Sequence, residues 1–256
     1  MGHYGHGRRL IPLRFMNKKL LTIVLVIVVT GLALLFAVFN QVSQPPPVPA
    51  AGPAPAAPTV NIDELKTKAQ AGDAAAQTRL GWAYQKGTGV KADMKEAVKW
   101  FRKAADQSAP EAQDALGEMT QAGQGTKRDL NEAIRLYRLA GDKGNVAAQY
   151  NLAYLYEQGM GVDKDEKQAA HWYQLAAEGG DPVAQYDIGQ RYMLGVGVSN
   201  NLVEALKWLT LASAQGQTDS TRLLANVKSR ATSSEIAEAA QRAQQFVVRS
   251  PTTATK

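Results

Sequence analysis

The sequence predicts an all-α solenoid of helix-turn-helix repeats, preceded by one transmembrane helix and a Pro/Ala-rich linker. Three observations predict this architecture. Residues 72–215 repeat with a period of 36, residues 20–39 form an apolar run without a charge, and residues 44–58 hold seven of the eleven prolines. A fixed period of about 20 to 50 residues is typical of stacked repeat folds, and about 20 consecutive apolar residues can span a bilayer.

The first 39 residues predict a membrane anchor. The run LLTIVLVIVVTGLALLFAVF at residues 20–39 would form a helix roughly 30 Å long, which matches the hydrocarbon core of a bilayer. Residues 1–19 hold five Lys or Arg and no acid. The positive-inside rule therefore places this basic tail in the cytoplasm and the rest of the chain in the periplasm or an equivalent exoplasmic space. The alternatives are a buried core helix and a cleaved signal peptide. The length of the run and the absence of a small-x-small cleavage pattern favour an uncleaved anchor in the inner membrane.

The linker at residues 40–59 is expected to be an extended spacer. Its prolines lack N–H donors and fix φ, so the segment cannot join a helix or a sheet. At about 3.1 Å per residue in polyproline II, residues 44–58 would reach roughly 45 Å. A ligand for a proline-binding domain is the alternative, but no basic residue flanks the prolines, which favours a spacer.

Four copies of the repeat are expected at residues 72–107, 108–143, 144–179 and 180–215. Their shared columns hold an alanine, a leucine or isoleucine, a small residue, an aromatic residue, a G-x-G pair and a tryptophan. In repeat 1 these are Ala76, Leu80, Gly81, Tyr84, Gly87/Gly89 and Trp100. Repeat 2 departs from the pattern with Thr120 for tyrosine and Leu136 for tryptophan, so we expect it to be the least tightly packed.

Each copy predicts two antiparallel helices. The first helix carries an apolar stripe at helical spacing, begins at an N-cap such as Asp73, Asn145 or Asp181, and ends at the first glycine of G-x-G. The second helix begins at quartets of the type Asp93-x-x-Glu96, which predict reciprocal capping boxes. The periodic tryptophans are expected to fill the core, beside alanines that allow close helix approach.

The block A-x-x-x-L-G-x-x-Y-x-x-G-x-G-V-x-x-D-x-x-x-A-x-x-W-x-x-x-A, complete from Ala76 to Ala104, resembles the Sel1-like repeat, a relative of the tetratricopeptide repeat. The resemblance implies a right-handed α-solenoid that serves as a scaffold for protein complexes, often at membranes or in the bacterial envelope. It extends loosely to the flanks. We expect an N-terminal capping helix at residues 60–71, C-terminal capping helices at residues 216–250, the last of them running from Ser233 to Val248, and a disordered tail at residues 251–256.

The residue types argue against several classes of chemistry. The chain has no cysteine, which excludes disulfides, thiolate catalysis and zinc sites with cysteine ligands. The net charge of +6 falls to +1 once the basic tail is set aside, which disfavours nucleic-acid binding by the folded part. His171 shares its column with Lys99, Arg135 and Lys207, so a solvent-exposed basic face is the better interpretation. We therefore expect no enzymatic activity and no cofactor.

The expected binding surface is the concave face, lined by the outward side of the first helices. There the residues vary between copies and include aromatic side chains of the type enriched in interface hot spots. The candidate partner-binding residues are Trp82, Tyr150, Tyr154, Tyr186, Gln190 and Met193. The alternative is that these side chains pack between adjacent repeats.

These observations favour a membrane-anchored adaptor that binds protein partners in the periplasm or cell envelope, either as a structural scaffold or as a regulator. The alternative function is a peptidoglycan-binding or peptidoglycan-active envelope protein that uses the same groove. The two differ in their ligand, since the adaptor would retain proteins and the other would bind purified cell wall.

Overall fold

The computed structural model describes residues 61–249. Within that range all regular elements are α-helices. The helices are α1 (Ile62–Gln70), α2 (Ala74–Lys86), α3 (Met94–Asp106), α4 (Pro110–Ala122), α5 (Leu130–Gly141), α6 (Val146–Gln158), α7 (Glu166–Glu178), α8 (Pro182–Leu194), α9 (Leu202–Ala214), α10 (Thr218–Lys228) and α11 (Ser233–Gln244). The predicted tail, transmembrane segment and linker at residues 1–59 and the tail at residues 251–256 lie outside the described residues. Among the helices described, none is long and apolar enough to cross a membrane.

From α1 to α10 the helices stack in chain order, each packing on the next, and this confirms the predicted all-α solenoid of helical repeats. The first helices of the four repeats are α2, α4, α6 and α8, and the second helices are α3, α5, α7 and α9. The N-terminal helix α1 packs against α2. At the other end α10 and α11 both pack against α9, so that helix is covered on the side where a fifth repeat would follow.

Local signals explain where the first helices begin and end. The side chains of Asp73, Asn145 and Asp181 accept hydrogen bonds from the backbone N–H three residues ahead, as predicted. Repeat 2 has Ala109 at this position and begins without a side-chain cap. All four first helices end at a left-handed glycine, with φ of +71° at Gly87, a conformation that other residues adopt at a cost.

The predicted capping boxes of the second helices are only half formed. Asp93 accepts the N–H of Glu96, but the backbone N–H of Asp93 donates to the carbonyl of Tyr84 at 2.9 Å. The other three repeats repeat this bond from the N-cap residue to the preceding helix. Because the N–H is already used, the Glu96 side chain pairs instead with Lys99. The reciprocal box forms at Thr232 and Glu235, where α11 begins.

The core holds a residue column that the periodicity analysis missed. Phe101 is fully buried, and its ring occupies the space beside Gly81, where an added Cβ would lie 2.6 Å from the ring. Tyr137, Tyr173 and Leu209 hold the equivalent positions and are also buried. The small-residue column beginning at Gly81 is therefore explained by the close approach of these side chains.

The tryptophan column is less uniform than predicted. Trp172 and Trp208 are buried, at 6% and 0% exposure. Trp100 is half-buried, with the Nζ of Lys103 4.2 Å from its ring centroid. In repeat 2 a cleft of about 720 Å³ borders Leu136, which stands where the other repeats have tryptophan. The smaller side chain thus leaves open space between α3 and α5, in line with the looser packing expected for repeat 2.

The last helix is shorter than predicted. It ends at Gln244 rather than Val248. Phe246 turns back onto the second helix of repeat 4, where its ring packs edge-on against Trp208 at a centroid distance of 5.4 Å. The residues that follow, including the β-branched Val247 and Val248, run without regular structure along the repeats.

Candidate protein-binding surface

We call the six predicted partner-binding residues on the first helices the A-helix strip. The structure divides them by exposure. Trp82 and Tyr154 are exposed, at 37% and 42%, whereas Tyr150, Tyr186 and Gln190 are half-buried. Met193 is only 8% exposed and belongs to the core around α9, so the structure places it inside rather than at the surface. The exposed part of the strip consequently runs through Trp82 and Tyr154.

Tyr150 serves the packing between repeats as well as the surface. Its ring meets that of buried Tyr173 edge to face, with centroids 5.4 Å apart. Its hydroxyl faces Asp187 on the next first helix, and burial together with that carboxylate raises the pKa of Tyr150 to about 12. For this residue the alternative of packing between adjacent repeats therefore holds, at least in part.

Paired polar side chains connect neighbouring first helices. The Nδ2 of Asn151 donates to Asp114 at 3.2 Å, joining α4 and α6. One repeat later, Tyr150 and Asp187 join α6 and α8 at the same two positions. The carboxylate lies on the earlier helix in the first pair and on the later helix in the second. Both pairs are partly buried, where polar contacts between helices fix the register of adjacent helices.

A buried cation stabilises the junction of repeats 3 and 4. Arg191 on α8 is 4% exposed and reaches Glu157 on α6 at 2.5 Å and Glu166 on α7 at 2.7 Å. Its guanidinium also lies 5.1 Å from the ring centroid of Tyr173, whose hydroxyl donates to Glu157. A planar cation with several donors can serve two carboxylates and an aromatic face at once. This cluster therefore holds three helices in one arrangement.

The strip is acidic along α4 and α6, whereas Trp82 on α2 lies beside Arg79 and Lys86. Helices α4 and α6 carry four carboxylates and no Lys or Arg: Glu111, Asp114, Glu118 and Glu157. Burial raises the pKa of Asp114 to about 7, with Glu118 adding to the shift. Burial also raises the pKa of Asp187 to about 7, with a further contribution from Glu157. The negative charge of the strip accordingly varies near neutral pH.

The other candidates for chemical activity among the described residues are His171 and groups of possible metal ligands. His171 is exposed on α7, 5.3 Å from the Trp172 ring by centroid distance. Among residues 61–249 no three His, Asp or Glu side chains are grouped so that they could hold a metal ion. What the repeats present is a surface of aromatic and acidic side chains, suited to contact with another macromolecule.

Comparison with known proteins decides the family. The Sel1 repeat family model matches four successive segments, residues 74–108, 110–145, 146–181 and 182–217, which together make up more than half of the chain. The chain belongs to the Sel1 repeat family. Proteins with Sel1 repeats are scaffolds for protein–protein interaction. Each matched segment holds one first helix and one second helix of the fold described above.

Solved Sel1 structures share this architecture. A protective antigen of uropathogenic Escherichia coli strains with an SLR fold is 31% identical, with a TM-score of 0.65, over 72% of this chain and 41% of that one. A Sel1 repeat protein from Oxalobacter formigenes is 31% identical, with a TM-score of 0.62, over 65% of this chain and 48% of that one.

A shorter match links the chain to a curated protein. The secretory immunoglobulin A-binding protein EsiB of Escherichia coli O6:H1 is 44% identical over 50 residues, which are 20% of this chain and 10% of that protein. The chain thus spans a tenth of this curated relative and less than half of the two solved structures.

Sequence reasoning found the exposed aromatic residues of the strip but missed its charged support. Asp114 shares its column with Tyr150 but was not among the candidates, and Asp187 and Arg191 lie outside the candidate columns. The signal was an offset of 37 residues rather than 36: Asp114 pairs with Asn151, and Tyr150 with Asp187. Pairs at this offset connect adjacent repeats, and column comparison does not reveal them.

Proposed function

We propose that this Sel1 repeat protein is a non-enzymatic adaptor that holds a protein partner on the A-helix strip. The observation that carries the proposal is the exposure of Trp82 and Tyr154, two large aromatic side chains on first helices. Aromatic residues of this kind supply much of the binding energy of protein interfaces. The buried Arg191 cluster fixes α6, the helix that carries Tyr154, against α7 and α8, and a fixed surface lowers the entropy cost of binding.

The chemistry of the strip favours a partner segment with basic residues. Four carboxylates on α4 and α6 lie on helices without Lys or Arg, and a basic segment with an apolar anchor would complement both the charge and the aromatic rings. A protein ligand agrees with the curated relative EsiB, which is named as a secretory immunoglobulin A-binding protein. Added salt should weaken this attraction, because the Debye length shortens as ionic strength rises and is about 8 Å at physiological ionic strength.

We place the adaptor at the inner membrane, with its repeats in the periplasm or an equivalent space. The uncharged run at residues 20–39 and the basic residues before it support this location. The proline-rich linker would hold the repeats away from the bilayer. Fractionation of cells with carbonate extraction tests the anchor: the full chain should stay in the membrane pellet and a chain lacking residues 1–39 should not. Recovery of both in the soluble fraction would refute it.

The strip is tested by matched variants of the full chain used as bait on cell extracts. Tyr154→Ser and Trp82→Ser should lose a protein that the parent chain retains, whereas His171→Ser, on a second helix, should keep it. Tyr154→Ser and His171→Ser should change the unfolding free energy by about 1 kcal/mol or less, whereas Trp82→Ser should cost more, because the Trp82 ring packs edge to face on buried Phe101 with centroids 6.3 Å apart. Equal retention by all variants would remove the strip from the interface. Sedimentation of the chain with purified sacculi would instead favour the peptidoglycan alternative.

A further inference from the structure

The end of the described chain lies in a groove between the second helices of repeats 3 and 4. Phe246 packs on Trp208, with the Nζ of Lys207 6.0 Å from its ring centroid. Three residues later, Arg249 donates its backbone N–H to the carbonyl of Glu178 at 2.8 Å and its guanidinium to the Glu178 carboxylate at 3.0 Å. An aromatic anchor and a cation three residues apart therefore hold an extended segment on the repeats.

The segment also fits closely at its middle. Gly180 lies under Val248, and a Cβ added to Gly180 would sit 3.2 Å from the valine methyl groups. The contacts thus reach from Trp208 on α9 to Glu178 at the end of α7 and to Gly180 in the turn between α7 and α8.

The equivalent groove between repeats 1 and 2 is open. Its volume is about 720 Å³, and its lining includes the residues found 72 positions before each contact of the bound segment. Leu136 replaces Trp208, Arg135 replaces Lys207, Asp106 replaces Glu178 and Ser108 replaces Gly180. We call this cleft the 1–2 groove.

The 1–2 groove contains a buried hydrogen-bond acceptor that lacks the glutamine partner found in repeats 1 and 4. Gln113 lines it and is 3% exposed, yet its side-chain oxygen has no hydrogen-bond partner within the described residues. In repeats 1 and 4 the equivalent oxygen accepts from a glutamine thirty residues ahead, as Gln185 accepts from Gln215 at 2.9 Å. In repeat 2 that position is Lys143, whose Nζ binds the carbonyl of Ser108. A buried acceptor is thus left for a donor from outside.

Three carboxylates line the 1–2 groove, Asp106, Asp129 and Glu132, and Asp129 caps α5 by accepting the backbone N–H of Glu132. Arg135 pairs with Glu132, and Lys143 is engaged by a carbonyl. Asp106 forms no ion pair among residues 61–249. It lies at the position from which Glu178 binds Arg249, so it can pair with a cation in the same way. Arg102 also lines the groove.

We propose that the 1–2 groove binds an extended segment of a partner protein that carries a large apolar side chain and, three residues later, Arg or Lys. The bound segment Phe246 to Arg249 is the pattern for this ligand. Leu136 is smaller than tryptophan and leaves room for the apolar anchor, Asp106 pairs with the cation, and Gln113 accepts a donor of the segment. The site lies on the second helices and is separate from the A-helix strip.

The probe for this site is a fluorescein-labelled peptide with the sequence of residues 243–249, Ala-Gln-Gln-Phe-Val-Val-Arg. It is titrated against the full chain in detergent micelles and followed by fluorescence anisotropy. We expect saturable binding that Asp106→Lys weakens about tenfold, because the charge reversal replaces an ion pair by repulsion. Asp142→Lys is the matched control, since Asp142 holds the equivalent position one repeat later and is exposed. It should leave the affinity unchanged.

Further variants keep the proposal refutable. Asp106→Asn removes the charge with little change of shape and should weaken binding severalfold if the lysine variant folds poorly. A peptide with alanine for phenylalanine should not bind. Absence of saturable binding would overturn the proposal. So would binding that Glu178→Lys abolishes and Asp106→Lys leaves intact, because the peptide would then displace the chain's own segment. A dimer in sedimentation velocity that Phe246→Ala abolishes would assign the groove to a second copy instead of a partner.

Discussion

The two raised aspartate pKa values predict that the repeats are more stable at mildly acidic pH than at neutral pH. Asp114 and Asp187 have a usual pKa of 3.8, which the fold raises to about 7. The folded state therefore binds these protons more tightly than the unfolded state. By linkage, the free energy of unfolding falls as pH rises from about 4 to about 7 and levels off above that.

The size of the effect follows from the shift. One pKa unit corresponds to about 1.4 kcal/mol, so each aspartate lowers the free energy of unfolding by about 2.5 kcal/mol between pH 5 and pH 7.5. The groups facing Asp114 are Glu118, Glu111 and the amide of Asn151. Those facing Asp187 are Glu157, Asp181, Arg191 and the hydroxyl of Tyr150.

The assay is urea unfolding of the full chain at pH 5, 6 and 7.5, followed by tryptophan fluorescence, since all four tryptophans lie in the repeats. Asp114→Asn and Asp187→Asn should each flatten the pH dependence and stabilise the protein at pH 7.5 by about 4 kcal/mol, because they remove the full cost of raising the pKa from 3.8 to about 7. Asp142→Asn, at an exposed position, should do neither. A stability that is flat or rises from pH 5 to pH 7.5, with no gain in the asparagine variants, would refute the assignment of buried, raised carboxyls.

Two further predictions concern the turns. Ser108 is the one residue other than glycine with positive φ among residues 61–249, at +68°. Ser108→Gly should therefore raise the free energy of unfolding by about 1 kcal/mol. If urea unfolding shows no gain in stability, the turn tolerates serine without strain. Replacement of Gly197 (φ +73°) or Gly216 (φ +85°) by alanine should lower the free energy of unfolding by about 1 kcal/mol in each case, because alanine is strained at positive φ. Gly197→Ala should lose at least about 1 to 3 kcal/mol more, because its Cβ would overlap the carbonyl oxygen of Glu166, whereas Gly216 faces open space. Equal midpoints for the two alanine variants would contradict this packing.

The helix pairs were predictable because their signals recur in one column each. Glycine at position 87 and its equivalents ends a helix whatever the surrounding sequence, and Asp73 caps one for a local reason. The buried column of Phe101 escaped notice because its members differ in type between phenylalanine, tyrosine and leucine. Their common feature is the small residue opposite, which only packing reveals.

The sequence predicted which helix face carries the candidate residues but not how deeply each side chain is buried. Helical phase places Trp82, Tyr150 and Met193 on one side of their helices, yet their exposure ranges from 37% at Trp82 to 8% at Met193. The difference arises from neighbouring elements, since α10 and α11 pack beside repeat 4 and help to bury the residues there. The predicted end of α11 was wrong for a related reason. Phe246 packs against Trp208, which lies thirty-eight positions earlier in the chain, and local sequence does not reveal this contact.

The central claim is that the exposed aromatic residues of the first helices form the protein-binding surface. In-cell photo-crosslinking from position 154, with position 99 on an exposed second-helix face as the control, tests it most directly. The account predicts a discrete protein adduct from position 154 that is missing from position 99 and that mass spectrometry can identify. Adducts of cell-wall fragments from position 154, or a protein adduct from position 99 alone, would contradict it.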